Sequence, residues 1–364
     1  MTERVEIEGT ILAGPSFGPV EGQIVIEGAD GDGDGDGDGD GDGTRAPGSA
    51  PGEIVAVEET SVDATDIVCP AFVNAHTHIG DSIAKEAGRG LTLEELVAPP
   101  DGLKHRLLRA ADADEMVAAM RRSLQYMARG GTAACLEFRE GGIEGVDRIE
   151  RAAAGLAVDP VALGRGPTEV IDVADGYGAS GANDDDFAEE RAAAREAGKL
   201  FGIHAGEVDD SDIDPALALD PDFLVHLVHA RERHLERIAD SEIPAVVCPR
   251  SNLVTDVGLP PVGDLAERTT VALGTDNVML NSPSMFREME FAAKLYDVGA
   301  PEVLAMATRA GAEIAGLNCG MIEAGRDARL VVLDGDSDNL TGVRDPVRAV
   351  VRRAGVDDVK RVVG

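Results

Sequence analysis

The sequence predicts an α/β protein: a distorted (β/α)8 TIM barrel with a small β-sandwich domain built from both chain ends. Three observations carry this prediction. From Ile67 onward, short apolar runs alternate with helical stretches, as they do in βα repeats. The stretch from about Ile67 to Leu317 has the roughly 250 residues of a typical barrel. Strand and turn patterns near both termini assign residues 1–66 and 318–364 to the small domain, which leaves residues 67–317 for the barrel.

The N-terminal part of the small domain is predicted from three short strands. Polar and apolar residues alternate over residues 5–11 and 23–27, as in half-buried strands, and residues 54–57 add a third strand. An Asp-Gly tract at residues 30–43 interrupts them, and its charge and glycine content predict a disordered surface loop. A calcium-binding repeat is disfavoured, because the tract lacks the spaced apolar residues of β-roll repeats and the final glutamate of an EF-hand loop. The C-terminal part is predicted from the strand and turn pattern of residues 320–334.

The barrel strands are predicted from short apolar runs, and the helices between them from apolar residues that share one face. The candidate strands are residues 68–74, 132–138, 160–163, 200–204, 223–226, 245–248 and 270–274. The candidate helices are residues 114–129, 186–198 and 231–239. One barrel strand is poorly marked, and its expected place is between Ile79 and Thr132.

The composition is strongly acidic. The chain has 68 Asp and Glu residues against 33 Lys and Arg, which gives a formal net charge of −35 at pH 7. A field of that sign repels nucleic acid and anionic membrane surfaces, so neither is expected as a partner. Acidic residues spread over the whole chain, and only five of the basic residues are lysines. This composition resembles that of halophilic proteins, in which molar salt screens the self-repulsion.

The cysteines and the N-terminus predict a cytoplasmic protein. The four cysteines form no CxxC pair, and three of them lie in or beside apolar runs, which favours reduced thiols over disulfides. The first residues lack the basic start and apolar stretch of a signal peptide. No run approaches the roughly 20 apolar residues that a membrane helix needs.

Four metal-capable side chains lie at the C-terminal ends of predicted strands, where a parallel barrel gathers its catalytic groups. They are His76, His78, His204 and Asp276. Residues two apart in a strand face the same way, so His76 and His78 can bind one ion. An HxH pair alone is weak evidence, but four of the seven histidines fall at predicted strand ends. Three imidazoles and a carboxylate suit one divalent metal ion, zinc first and ferrous iron second, with room for a water.

Two further residues are predicted to act beside this centre. Glu207 lies three residues after His204, where it can carry a proton from the attacking water to the substrate, although a solvated acid is the alternative. His226 ends another predicted strand and is expected to hold the attacked group of the substrate. If that strand ends later, His229 faces the site in its place.

Three residues are candidates for binding the substrate. Arg139 follows a predicted strand and can meet a carboxylate or phosphate, with a salt bridge at the barrel mouth as an equal alternative. Arg250 and Asn252 are expected either to bind the substrate or to shape their loop.

These residues lie in motifs that together resemble the amidohydrolase superfamily, in the branch of cytosine deaminases, S-adenosylhomocysteine deaminases and triazine hydrolases. The motifs span nearly the whole chain and cover residues 70–78, 204–207, 248–252, 274–277 and 285–289. The resemblance implies one metal ion bound by His76, His78, His204 and Asp276, with Glu207 as proton shuttle and His226 near the substrate. It further implies that Asp276 accepts a proton from water, and it suggests a homodimer.

Two absences in the sequence bear on the number of metal ions and on the substrate. Binuclear members use a lysine on the fourth strand, and no lysine occurs here between Lys104 and Lys199, which favours a single ion. The chain has no Trp, eight Phe and three Tyr, which is few for a pocket that stacks a purine.

Three hypotheses about function therefore stand. The first is hydrolytic deamination of a small aminated heterocycle, nucleobase- or nucleoside-like, by a metal-activated water. The second is ring opening of a cyclic amide or imidazolone at the same site. The third is a non-catalytic binding barrel, which the retention of five functional side chains argues against.

Overall fold

The computed structural model describes residues 4–28, 51–97 and 101–364, so the predicted Asp-Gly loop lies outside the described residues. The strands are β1 (Arg4–Ala13), β2 (Gly18–Glu27), β3 (Glu53–Glu59), β4 (Ile67–Pro70), β5 (Phe72–His78), β6 (Thr132–Arg139), β7 (Asp159–Gly164), β8 (Gly176–Ala179), β9 (Leu200–Ala205), β10 (Phe223–His226), β11 (Ala245–Val247), β12 (Val271–Leu273), β13 (Asp276–Asn277), β14 (Leu330–Leu333) and β15 (Val359–Val363). The α-helices are α1 (Leu93–Val97), α2 (Leu103–Ala110), α3 (Ala113–Arg129), α4 (Gly142–Ala153), α5 (Val170–Val173), α6 (Ala188–Ala197), α7 (Ile213–Ala218), α8 (Glu232–Asp240), α9 (Pro249–Thr255), α10 (Val262–Ala266), α11 (Met285–Leu295), α12 (Ala300–Ala307), α13 (Arg309–Ala315) and α14 (Pro346–Arg352). Two 3₁₀ helices cover Ile79–Ala84 and Val356–Asp358.

The nine strands from β5 to β13 form a parallel sheet in the order β12-β11-β10-β9-β8-β7-β6-β5-β13. Only Gly274 and Thr275 separate β12 from β13, so these two strands act as one interrupted strand. Because β13 pairs with β5 and β12 pairs with β11, this interrupted strand closes the barrel. The predicted distorted (β/α)8 barrel is therefore confirmed.

The poorly marked strand lies elsewhere than predicted. The segment between Ile79 and Thr132 is helical in its described parts, and the missing strand is β8, between β7 and β9. A Cβ atom on Gly176 would lie 2.4 Å from the carbonyl oxygen of Leu200, and one on Gly178 would lie 2.7 Å from the ring of Phe138. The close approach of neighbouring groups requires glycine at both positions. Because glycine is not counted as apolar, β8 lacks the apolar run by which the other strands were predicted.

Both chain ends form a separate sheet, as predicted. Its six strands are hydrogen-bonded in the order β15-β14-β4-β1-β2-β3. They form one sheet and not the predicted sandwich of two, because β4 lies between β14 and β1 and pairs with both. Residues 67–70 thus belong to the small sheet, and the barrel begins after Ala71. Apolar residues continue without a break from β4 into β5, so the sequence pattern predicted one strand where the structure has two.

The C-terminal segment also contains a helix that the sequence analysis did not predict. Helix α14 contacts α11 and α12 on the outside of the barrel. Its valines and alanine are buried there, whereas the sequence pattern predicted only strands and turns in the C-terminal segment.

The barrel has an inner and an outer apolar layer. Leu136 and Phe138 of β6 belong to the inner cluster, whereas Glu137 and Arg139 point outward because side chains alternate along a strand. The strands that supply the candidate site residues end at the same rim of the barrel. Among the described residues, no helix is long and apolar enough to cross a membrane.

Candidate metal centre

The end of β5 brings two imidazole rings together, as the HxH spacing predicts. The rings of His76 and His78 lie 4.9 Å apart between centroids, at an interplanar angle of 90°. Both side chains are buried, so the neighbouring residues restrict the orientation of each ring.

His204 and Asp276 converge on the same point from β9 and β13. Nε2 of His204 lies 3.4 Å from Nε2 of His78. Oδ1 of Asp276 lies 3.3 Å from Nε2 of His76 and 3.6 Å from Nε2 of His78. The other ring nitrogen of His204, Nδ1, lies 2.8 Å from the carbonyl oxygen of Ala179, which leaves Nε2 with its lone pair toward the centre.

The chemistry of these atoms fits a metal ion. Both ring nitrogens of His76 are buried and have no hydrogen-bond partner among the described residues, a costly state for a polar group. Burial lowers the pKa of His76, lowers that of His78 to about 3, and lowers that of His204 well below its usual value. The three imidazoles are therefore neutral, which is the form that binds metal.

Asp276 is held as an anion in this centre. Burial alone would raise its pKa, but the neighbouring Nε2 of His76 and the electrostatic interactions with His226 and His78 lower it well below its usual value. Ser251 donates a hydrogen bond of 2.5 Å to Oδ2, so Oδ1 is the oxygen that faces the imidazoles.

His226 ends β10 beside this cluster. Its φ of 79° is unusual for a residue with a side chain, and such strain is often kept at functional sites. Nε2 of His226 lies 3.6 Å from Oε2 of Glu207, and Nδ1 lies 3.2 Å from Nδ2 of Asn252. His229 lies half-buried on the turn that follows, so His226 is the residue that faces the site.

The candidate ligands form two overlapping groups in the described part of the chain. His76, His78 and His204 offer atoms within 4.8 Å of one another, and so do His76, His226 and Asp276. Burial raises the pKa of Glu207, which lies at the edge of these groups, as is expected of a residue that holds and releases a proton.

Comparison with known families decides the class of this site. The model of the amidohydrolase family matches residues 67–208 and 182–363. The chain belongs to the amidohydrolase family. The resemblance seen in the sequence motifs is thus confirmed, and the protein is a hydrolase of this family.

Individual relatives place the chain within the amidohydrolases. A putative aminohydrolase of Methanothermobacter thermautotrophicus is 34% identical, over 95% of this chain and 93% of the relative. A 5-methylthioadenosine/S-adenosylhomocysteine deaminase of Halobacterium salinarum is 30% identical, over 86% of this chain and 84% of the relative. The solved structure of an atrazine chlorohydrolase from Arthrobacter aurescens, complexed with zinc, has a TM-score of 0.78 at 20% identity and covers 98% of this chain and 93% of that chain. This last likeness shows the fold alone.

The three candidate substrate-binding residues of this amidohydrolase contact other protein groups. Arg139 is 2% exposed, and its guanidinium contacts Glu137, Glu140 and the sulfur of Met120. Arg250 forms a buried ion pair with Glu288. These contacts match the alternatives that the sequence left open, a salt bridge for Arg139 and a loop-shaping role for Arg250.

Helix α9 connects the second ion pair to the site. Arg250 donates to Glu288 on α11 from its backbone nitrogen at 3.0 Å and from Nε at 2.5 Å. This ion pair fixes the position of α9. From α9, the hydroxyl of Ser251 donates a hydrogen bond to Asp276, and the side-chain amide of Asn252 contacts His226. The contacts of Ser251 with Asp276 and of Glu288 with Arg250 could not be predicted from the sequence, although these residues lie in the motifs, because contacts between distant motifs leave no local pattern.

Proposed function

We propose that this amidohydrolase is a metal-dependent deaminase that hydrolyses the C–N bond of a small aminated heterocycle, nucleobase- or nucleoside-like. The observation that carries the proposal is the convergence of three neutral imidazoles and one carboxylate beside the Glu207–His226 pair. The relative named 5-methylthioadenosine/S-adenosylhomocysteine deaminase, 30% identical over 86% of this chain, supports the reaction class.

We assign one divalent ion, zinc first and iron second, to His76, His78, His204 and Asp276. Oδ1 of Asp276 lies within 3.6 Å of Nε2 of both His76 and His78, so one ion can share them. We do not include His226 among the metal ligands, because its Nδ1 contacts Asn252 and its Nε2 faces Glu207. A zinc ion bound in such a shell lowers the pKa of water toward 7 and so supplies a nucleophile at neutral pH.

The protein groups around that position move the protons. Glu207, with its raised pKa, takes a proton from the attacking water and returns it to the ring nitrogen or the leaving amine. His226 carries its proton on Nε2 when Asn252 donates to Nδ1, so it can donate a hydrogen bond to the attacked group. Asp276 accepts the second proton of the same water and delivers it to whichever of these two nitrogens Glu207 did not protonate, so the C–N bond breaks and ammonia leaves.

Ammonia release by purified protein tests this proposal. The protein is assayed in molar potassium chloride with added zinc or iron, against aminopurines, aminopyrimidines and their nucleosides. We expect release with at least one ring, and loss of that release in the His76→Ala variant. Release that persists in His76→Ala would overturn the metal assignment.

Ring opening of a cyclic amide is the second candidate function. It is favoured by the shortage of aromatic side chains, which leaves few faces on which a purine could stack. A panel of cyclic amides and imidazolones, assayed for acid formation, separates the two. Acid formation without ammonia from any aminated ring would assign the site to ring opening.

We further propose a cytoplasmic setting of high salt. Its support is the acidic composition and the four free, buried cysteines, which fit a reducing compartment.

A further inference from the structure

A buried network of charged side chains lies behind the metal centre, and the proposed reaction does not use it. At its middle is Glu140, the residue that follows β6. Oε1 of Glu140 lies 3.3 Å from Nδ1 of His78 and 2.7 Å from Nζ of Lys104 on α2. His78 therefore faces the metal centre with Nε2 and the network with Nδ1.

The network is shielded from water and balanced in charge. The side chains of His78 and Lys104 are each 4% exposed, and that of Glu140 is 11% exposed. A buried carboxylate is stable as an anion only when it is paired. Two arginines also approach Glu140: Nη2 of Arg139 lies 3.7 Å from Oε2, and Nη1 of Arg165 lies 3.8 Å from Oε1. Together with Lys104, these cations stabilise the ionised carboxylate and fix its position.

We propose that Glu140 is a positioning residue for the metal ligand His78, and that Lys104 acts on His78 through Glu140. With Oε1 only 3.3 Å away, Glu140 favours the tautomer of His78 that carries its proton on Nδ1 and its lone pair on Nε2, the nitrogen that faces His204 and Asp276. A carboxylate in this place fixes the tautomer and ring orientation of a ligating histidine and raises its basicity. The inference rests on the proposed metal site.

Asp81 supplies a matched control within the same network. Its Oδ2 lies 3.4 Å from Nζ of Lys104, and its side chain is fully buried, yet among the described residues it forms no side-chain hydrogen bond or ion pair with His78. Asp81→Asn and Glu140→Gln both change a buried carboxyl beside Lys104 into an amide, and only the second alters the partner of His78.

The test measures zinc affinity by competition with a chelator, starting from apoprotein. We expect Glu140→Gln to weaken zinc binding by about tenfold to 100-fold, and Asp81→Asn to leave it unchanged. Visible absorption of the cobalt-substituted protein should change in Glu140→Gln and not in Asp81→Asn. Thermal unfolding of each apoprotein shows whether the two variants fold equally well. Wild-type zinc affinity and an unaltered cobalt spectrum in Glu140→Gln, or equal zinc losses in both variants, would overturn the inference.

Two more variants complete the test. His78→Ala should lose zinc; if it binds zinc like the wild type, the proposed metal site itself is wrong, whereas a failure of Glu140→Gln alone refutes only the positioning role. If Glu140→Gln protein does not fold, Glu140→Asp keeps the charge but shortens its reach, and the same weakening of zinc binding is expected.

A double-mutant cycle tests the part assigned to Lys104. If Lys104 acts through Glu140, the effect of Lys104→Met on zinc affinity disappears in the Glu140→Gln background. Equal effects in both backgrounds would overturn this role and mean that Lys104 acts on the site without Glu140.

Discussion

Glu207 lies 3.6 Å from His226 and outside the proposed set of metal ligands. Its replacement by Gln keeps the shape of the side chain and removes its ability to carry a proton. We expect kcat of Glu207→Gln to fall by about 100-fold to 10,000-fold, while zinc affinity stays at the wild-type value. Steady-state kinetics on the substrate that the panel identifies, together with zinc titration, check both parts.

Glu196→Gln is the control for this prediction, because it changes an exposed carboxylate on α6. It should keep full activity. An unchanged kcat in Glu207→Gln would contradict the role of Glu207 in both candidate reactions.

Gly80 gives a second prediction at the residue scale. A Cβ atom at this position would lie 1.8 Å from Nη1 of Arg139, whose guanidinium is fixed by buried partners. We expect Gly80→Ala to lower the free energy of unfolding by about 1–3 kcal/mol, the usual cost of overpacking. Chemical denaturation measures it. Gly263→Ala on α10 is the control: its Cβ meets open space, and it should be neutral or slightly stabilising.

Helix α9 is the element on which the shape of the site depends most directly. Arg250→Met leaves Glu288 buried without its cation, and loss of one partner of a buried pair costs about 3–5 kcal/mol. Activity should fall as well, because Ser251 and Asn252 lose their fixed positions. The double variant Arg250→Met with Glu288→Leu removes both charges and should recover most of the stability. If the single variant is as stable as the double variant, the ion pair does not hold α9.

The elements also show how far the sequence alone reaches. Strands with continuous apolar runs, such as β6 and β10, were predicted to within a few residues, because burial on both faces leaves a strong signal. Strand β8 was missed because its tight packing requires glycines. The metal-capable residues could be predicted from spacing and strand ends. The contact between Lys104 and Glu140 could not be predicted, because it joins residues 36 positions apart and such a contact leaves no periodic pattern in the sequence.

The charge of the whole molecule predicts its response to salt. A net charge of −35 destabilises the folded state through self-repulsion, which salt screens as the Debye length falls from about 10 Å at 0.1 M to about 3 Å at 1 M. We expect the unfolding temperature to rise steadily with potassium chloride up to molar concentrations. Scanning calorimetry across a salt series measures this. An unfolding temperature that is independent of salt would contradict the halophilic interpretation.

At the scale of the whole molecule, the proposed reaction depends on one ion held between strands from distant parts of the barrel. The most direct measurement is the zinc content per chain after reconstitution and desalting, for wild type, His76→Ala and His229→Ala. We predict one zinc per chain in the wild type and in His229→Ala, whose histidine lies outside the metal-capable groups, and almost none in His76→Ala. Equal zinc in all three proteins, or none in the wild type, would contradict the metal centre from which the proposed reaction follows.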